Sequence, residues 1–212
     1  PVGLRSTYNL ITSTHEPNQR LVILHDDLNG IKEPSAFSGK TRQVEDCGAL
    51  FKDVFASMEE EGAVLGGLYG SLRNMPTGGA DYTIGFQMIF DPATFIINQR
   101  DIVLREEFDL FLDIHRMLAY HTAGHCILRM NKYAVDTTMN KQDDATGFGY
   151  RTREMWDVAL PALMAEYGQY ISGTEWKGRY YAFKFKDTVL PPTTTTSTTT
   201  APTATTTTTA PP

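Results

Sequence analysis

The sequence lacks several features that define particular classes of protein. Its longest apolar stretches, such as Leu21–Leu24, are far shorter than the roughly 20 residues that a helix needs to cross a bilayer. Its two cysteines, Cys47 and Cys126, are too few for a disulfide scaffold and lack the paired Cys-x-x-Cys spacing of a zinc site. We therefore predict no membrane insertion. We expect both thiols to be free and buried, or joined in one disulfide if the compartment is oxidising.

Positive charge is also scarce. The chain has 19 Lys and Arg against 25 Asp and Glu, a formal net charge of −6, and no charged residue follows Asp187. Because Lys and Arg neutralise phosphates when a protein binds nucleic acid, this balance predicts no nucleic-acid partner. The segment Pro1–Arg5 lacks the charged start and apolar run of a secretory signal, so we expect synthesis in the cytosol.

The composition changes abruptly after residue 190. Residues 191–212 are only Thr, Pro, Ala and Ser, so they cannot bury enough apolar surface to offset their ordering entropy. We predict an extended N-terminal arm with one strand, part of the main domain, over 1–40. An α+β core domain over 41–190 and an extended Thr/Pro tail over 191–212 follow it. Three tail threonines are candidate contacts with another subunit; an O-glycosylated stalk and a solvated spacer are the alternatives. These candidates are Thr193, Thr198 and Thr205.

Hydrophobic periodicity predicts the first elements of the core. Leu21–Leu24 is typical of a buried strand, and the turn His25–Gly30 ends it. Asp46 is a good N-cap for a helix, and a strand is predicted over Asp81–Phe90, where apolar side chains alternate. The apolar stripe of the helix is Leu50, Phe51, Val54, Phe55 and Met58. The apolar face of the strand is Tyr82, Ile84, Phe86, Met88 and Phe90.

The second half of the core repeats this alternation of helix and strand. Asp101 is predicted to cap a helix, a strand follows near Cys126–Val135, and Thr152 caps a third helix that Pro161 kinks or restarts. A closing strand spans Arg179–Lys186. The apolar stripes are Leu104, Phe108, Phe111, Ile114 and Leu118 for the second helix, and Met155, Val158, Leu163 and Tyr167 for the third. The sequence predicts an α+β fold or α/β sandwich, a mixed sheet with two to three helices packed on it.

The string Ala119–Cys126 carries two histidines, His121 and His125, four residues apart. On a helix this spacing places both imidazoles on one face at metal-binding distance. The string resembles the His-Glu-Ala-Gly-His segment of AAA-type membrane-anchored zinc metalloproteases over about seven residues. Thr122 stands where that family needs a glutamate to deprotonate the zinc-bound water, so protease chemistry is not expected. His121 and His125 are candidate metal ligands or, alternatively, histidines near a helix end.

Other strings give no catalytic set. His25-Asp26-Asp27 follows a buried strand, where α/β enzymes place catalytic groups, but it is also typical of a turn. The glycine-rich segment Gly62–Gly70 has neither a P-loop ending nor a dinucleotide-binding order. We therefore predict no catalytic residue and no cofactor.

The closing strand carries aromatic side chains on both faces. Tyr180 alternates with Tyr181, Phe183 and Phe185, more than a sheet covered on one side needs. Because aromatic rings are favoured at protein interfaces, these four residues are candidate oligomer contacts. The alternative is a strand buried on both sides within the monomer.

The strand Asp81–Phe90, the helix Asp101–Leu118 and the closing strand Trp176–Phe185 resemble, in their order, tailed-phage neck or tail-terminator proteins. The resemblance implies a ring-forming subunit that is made in the host cytoplasm, built into a virion, and bound to copies of itself and neighbouring assembly proteins. We predict a non-enzymatic structural subunit of a homo-oligomer. Two alternatives remain: a secreted or cell-surface glycoprotein module with an O-glycosylated tail, and a metal-dependent enzyme that uses His121 and His125.

Overall fold

The computed structural model describes residues 3–34, 41–70, 79–137, 152–178 and 180–186. Within these ranges the chain forms four α-helices, a 3-10 helix and nine strands. The helices are α1 (Leu4–Thr14), α2 (Cys47–Glu60), the 3-10 helix (Glu106–Phe111), α3 (Leu112–Thr122) and α4 (Arg153–Tyr167). The strands are β1 (Arg20–Leu24), β2 (Leu28–Pro34), β3 (Thr41–Gln43), β4 (Ala63–Tyr69), β5 (Tyr82–Ile84), β6 (Ala93–Ile97), β7 (Cys126–Thr137), β8 (Ile171–Trp176) and β9 (Tyr181–Phe185).

Seven strands form one curled, mixed sheet in the order β1-β6-β4-β7-β2-β3, with β5 paired to β7. The β4–β7 pair is parallel and the others are antiparallel. The long strand β7 pairs with β5 up to Met130, with β4 up to Ala134, and with β2 from Ala134 onward. Strands β8 and β9 form a separate antiparallel hairpin. The prediction of a mixed sheet with helices packed on it is confirmed.

The large sheet separates two hydrophobic cores. Neighbouring residues such as Phe95 and Ile96 on β6 point to opposite cores, because side chains alternate along a strand. On one side of the sheet, α1, α3, α4 and the β8–β9 hairpin pack together in one core. On the other side, α2 covers the second core. Among the described helices, none has both the length and the apolar character to cross a membrane.

Helix α2 follows its prediction closely. The Asp46 carboxylate accepts a hydrogen bond from the Ala49 N–H (2.8 Å), which caps the helix. The predicted apolar stripe packs against the sheet through Leu50, Val54, Phe55 and Met58. A Cβ at Gly66 would lie 2.5 Å from Met58 Sδ, so glycine at this point of β4 lets the helix pack closely.

The prediction for the N-terminal region was wrong in its secondary structure. Residues 4–14, expected to belong to an extended arm, form α1, and two further strands, β2 and β3, accompany the predicted β1. Tyr8 and Thr12 form the buried side of α1. The helix was missed because its Ser and Thr residues have low helix propensity. The domain boundary at residue 40 lies in the range 35–40, outside the described residues.

Two predicted elements in the middle of the chain have different bounds. The strand over Asp81–Phe90 stops at Ile84 because Gly85 has φ +106°, and the chain then runs to β6, which was not predicted. Asp101 does not cap a helix: a 3-10 helix begins at Glu106 and α3 begins at Leu112. The predicted stripe is nevertheless buried, from Leu104 through Leu118.

The C-terminal elements were predicted in part. Thr152 caps α4 through a bond from the Met155 N–H (3.4 Å), and α4 continues through Pro161 as one helix. The strand β8 was not predicted, and the closing strand is β9. Both cysteines are free, but Cys47 is exposed and Cys126 half-buried, which corrects the expectation of two buried thiols. The predicted Thr/Pro tail lies outside the described residues.

Candidate interaction surfaces

The aromatic residues of the closing strand mostly pack inside the subunit. The Phe183 ring lies 5.5 Å from that of Phe111, and the Phe185 ring lies 4.8 Å from that of Phe86. Tyr181 packs on Trp176 (5.2 Å), and its hydroxyl donates a hydrogen bond to Asp157. Tyr180 is 48% exposed. Of the four aromatic candidates, Tyr180 is therefore the most available to another molecule.

The tail candidates, Thr193, Thr198 and Thr205, lie outside the described residues.

The two candidate metal ligands do not share a helix. Helix α3 ends at Thr122, Gly124 has φ +84°, and the His125 N–H donates to the Tyr120 carbonyl (3.0 Å) in the turn that follows. The expected helical spacing of His121 and His125 was therefore wrong. Burial lowers the pKa of both histidines. Among the described residues, no group of three or more His, Cys, Asp or Glu side chains is placed to hold a metal ion.

His121 is packed among aromatic rings, 4.6 Å from Phe86 and 5.2 Å from Tyr170 between ring centroids. Its side chain is buried in the core that contains α3 and the β8–β9 hairpin. This surrounding of apolar rings accounts for its lowered pKa without a ligand.

His25 lies beside a buried polar cluster that joins distant parts of the chain. The Tyr8 hydroxyl is 3.5 Å from His25 Nε2 and donates to Asp91 Oδ1 (3.4 Å) and Thr94 Oγ1 (3.3 Å). Asp91 forms an ion pair with Arg116 Nη1, and the Arg116 side chain is 1% exposed. The Arg116 guanidinium also lies 4.9 Å from the centre of the Tyr8 ring. The cluster thus connects α1, the start of β6 and α3.

The electrostatics of this cluster favour a structural role. Burial alone would raise the pKa of Asp91, but the charge of Arg116, a hydrogen bond with Asp113 and the charge of His25 together hold that pKa below its usual value. Burial raises the pKa of Tyr8, so the phenol stays protonated. The adjoining cavity, lined by Tyr8, Asn9 and Arg116 among others, has a volume of about 10 Å³. That is room for one water, whereas small-molecule sites enclose about 300–1,000 Å³.

Helix α4 carries an exposed apolar stripe. Val158 is 79% exposed, and Met155 is 41% exposed one turn before it. Ala162 and Ala165 continue the stripe at helical spacing, and both are exposed. We name these four residues the α4 face. The buried side of α4 is instead formed by Trp156, Leu163 and Tyr167, so the predicted burial of Met155 and Val158 was wrong.

A second exposed apolar surface lies along α1. An open groove of about 500 Å³ runs beside the helix, and its apolar walls are Leu10, 47% exposed, and Val103, 64% exposed. We name it the α1 groove. Its full lining is Arg5, Ser6, Asn9, Leu10, Ser13 and Val103. Sequence reasoning missed this surface because α1 itself was not predicted.

Comparison with family models, with curated proteins and with solved structures found no match to this chain.

Proposed function

We propose that this chain is a structural subunit of a homo-oligomeric assembly, in the neck or tail of a tailed-phage virion. The observation that carries the proposal is Val158, an aliphatic side chain that is 79% exposed at the centre of the α4 face. Contiguous exposed apolar residues on a folded domain mark interaction sites, and burying one valine fully contributes about 1.5–3 kcal/mol.

The α1 groove supports an assembly made of identical subunits. It lies on a different element from the α4 face and shares no residue with it. Head-to-tail contacts between copies use two different surfaces, and they generate rings when they close or filaments when they do not. A convex helical stripe and an open groove are a suitable pair for such a contact.

The virion assignment is supported by the order of elements. The strand, helix and closing strand on which the resemblance to neck and tail-terminator proteins was based correspond to β5, α3 and β9, although their bounds differ from those expected. Partners of the same kind, other copies and neighbouring assembly proteins, follow from that assignment.

Sedimentation velocity of the full chain at micromolar concentration tests the proposal. We expect a species larger than the 23.7 kDa monomer, because apolar surfaces on both elements would be covered by neighbours. Val158→Glu should shift the distribution toward monomer, since a carboxylate in the contact must lose its hydration. Ala56→Glu, which adds the same charge at an exposed position of α2, is the matched control and should sediment as the wild type.

Two results would contradict the proposal. A wild-type chain that stays monomeric throughout the concentration series removes its basis. An assembly that tolerates Val158→Glu as well as Ala56→Glu shows that the α4 face is not a contact between subunits.

A further inference from the structure

Among the described residues, strand β1 lies at an edge of the large sheet and pairs with one strand, β6. The Asn98 N–H donates to the Gln19 carbonyl (2.9 Å) and the His25 N–H donates to the Pro92 carbonyl (3.2 Å). Backbone groups alternate in an antiparallel ladder, so the odd-numbered residues of β1 face β6. The N–H and C=O groups of Arg20, Val22 and Leu24 therefore point away from the sheet. None of them bonds to another residue in the part of the chain that the structure describes.

Apart from the charge of Arg20, this edge carries none of the features that usually prevent strands from pairing between molecules. Such features are short length, Lys or Pro on the edge, and bulges. Strand β1 has five residues, Arg-Leu-Val-Ile-Leu, in unbroken register with β6. Its one charge, Arg20, is bound to Glu59 on α2 (Nη2 to Oε1, 2.5 Å).

The opposite edge of the sheet is different. Strand β3 has three residues, all exposed, and Arg42 forms an ion pair with Glu33 on β2 (2.8 Å). Shortness and charge protect that edge, so the contrast singles out β1.

We infer that β1 pairs in antiparallel fashion with β1 of a second copy, centred on Val22, and joins two large sheets into one. The inference rests on the proposed homo-oligomeric function and names one of its interfaces. The strand is self-complementary about Val22: a two-fold axis there sets Arg20 opposite Leu24 of the second copy. About six backbone hydrogen bonds then satisfy all the outward groups of both strands.

The side chains fit the same register. Leu24 is 47% exposed, whereas Arg20 lies with its guanidinium 5.7 Å from the Phe55 ring. In the paired strands the aliphatic stem of Arg20 would cover Leu24 of the second copy. Val22 would meet its own counterpart, and a pair of β-branched residues is favourable across strands.

The contact should be weak in isolation. Pairing of two five-residue strands buries less than the roughly 1,200–2,000 Å² of a stable protein interface. In the assembly, contacts through the α4 face and the α1 groove would raise the effective concentration of one β1 at another. The edge pairing is therefore expected mainly in the assembled state.

Chemical crosslinking tests the register. In a Cys47→Ser background, which removes the exposed native thiol, Val22→Cys places two thiols beside the two-fold axis, where a short bifunctional maleimide can join them. We expect most of the protein to become covalent dimer. Arg42→Cys, on the exposed opposite edge, is the matched control and should remain monomeric in a denaturing gel.

A second variant tests whether the pairing holds the assembly together. Val22→Pro removes an N–H that makes no bond within the described chain, and proline is tolerated on such an edge. We expect a smaller sedimenting species, and a modest fall in the thermal unfolding midpoint because Val22 is half-buried and packs against the core that α2 covers. If the fall is large, Leu24→Lys replaces this variant, because an exposed lysine blocks pairing without a change in backbone.

The results separate this inference from the proposed function. A crosslinked dimer together with a smaller Val22→Pro species supports both. An assembly that forms normally, without crosslinking at residue 22 and without a response to Val22→Pro, refutes the β1 contact and leaves the homo-oligomer standing. A wild-type monomer without crosslinking refutes both.

Discussion

At the scale of single residues, burial in the core keeps the imidazole of His115 uncharged. Its ring lies 4.5 Å from that of Phe108 and 5.9 Å from that of Tyr167, and it is buried. Burial lowers the pKa of His115 to about 4, and the positive charge of Arg105 adds to that effect against the weaker influence of Glu166 and Glu107. The imidazole is therefore neutral in the folded protein at any pH well above 4.

This neutrality makes folding stability depend on pH. An unfolded His115 gains its proton near pH 6.5, whereas the folded one gains it near pH 4, so the unfolded state binds more protons between these values. Stability from His115 is complete above pH 6.5 and falls as the pH drops toward 4, by about 1.4 kcal/mol per pH unit. Urea unfolding at pH 7, 6 and 5 measures the slope.

The control is His115→Leu, which removes the titrating group and keeps an apolar side chain. His121 and His125 also have lowered pKa values, so some slope will remain in this variant. The prediction concerns the difference between the two slopes. Identical slopes for wild type and variant would mean that His115 is not held neutral by the fold.

At the scale of elements, Gly85 decides where β5 ends. The apolar alternation continues from Tyr82 to Phe90, but the chain leaves the sheet after Ile84 because Gly85 has φ +106°. A residue with a side chain rarely adopts that backbone conformation, whereas glycine adopts it freely.

Gly85→Ala should lower the free energy of unfolding by about 1–3 kcal/mol through backbone strain. A Cβ at this position would meet nothing within 4 Å, so no steric clash contributes. Gly173→Ala on β8 is the matched control: its Cβ would also be free, and its φ is in the ordinary range. We expect a change of less than about 0.5 kcal/mol there. Equal losses measured by chemical denaturation would argue against strain at Gly85.

Elements whose signals are local were predicted, and those that depend on distant partners were not. Asp46 and the stripe after it define α2 within one stretch of sequence. Helix α1 depends on Tyr8, whose hydroxyl partners Asp91 and Thr94 lie far along the chain. The α1 groove could not be predicted from the sequence for the same reason, because Val103 lies next to α1 only in the folded chain.

Helix α4 was predicted in place but not in orientation. Both of its faces carry apolar residues, so periodicity alone could not choose between Trp156 with Leu163 and Met155 with Val158. The exposed α4 face is therefore the part of the candidate interaction surfaces that could be identified only from the structure. The sequence did indicate Tyr180, which remains exposed.

At the scale of the whole molecule, we expect the tail to contribute to assembly but not to the stability of the folded domain. A chain that ends at Leu190 should keep its free energy of unfolding within about 0.5 kcal/mol, because residues 191–212 offer no large apolar side chain to a core. A large loss of stability in chemical denaturation would contradict this.

The same truncation tests Thr193, Thr198 and Thr205 as contacts. If the tail orders against neighbouring copies, the truncated protein will sediment as a smaller species than the full chain at equal concentration. If the truncated protein forms an oligomer of the same size as the full chain, these threonines are not contact residues.

The strand order of the large sheet also has a consequence for synthesis on the ribosome. Strand β1 pairs with β6, and β2 pairs with β7 on one side and with the nearby β3 on the other, so β1 and one side of β2 wait for strands that emerge much later. At roughly 5–20 residues per second, the delay lasts several seconds, during which Leu21 and Ile23 face water. Until Thr137 has left the exit tunnel, the nascent polypeptide lacks the complete central strand. Its production in the cell therefore depends on how well those early segments are shielded while translation continues.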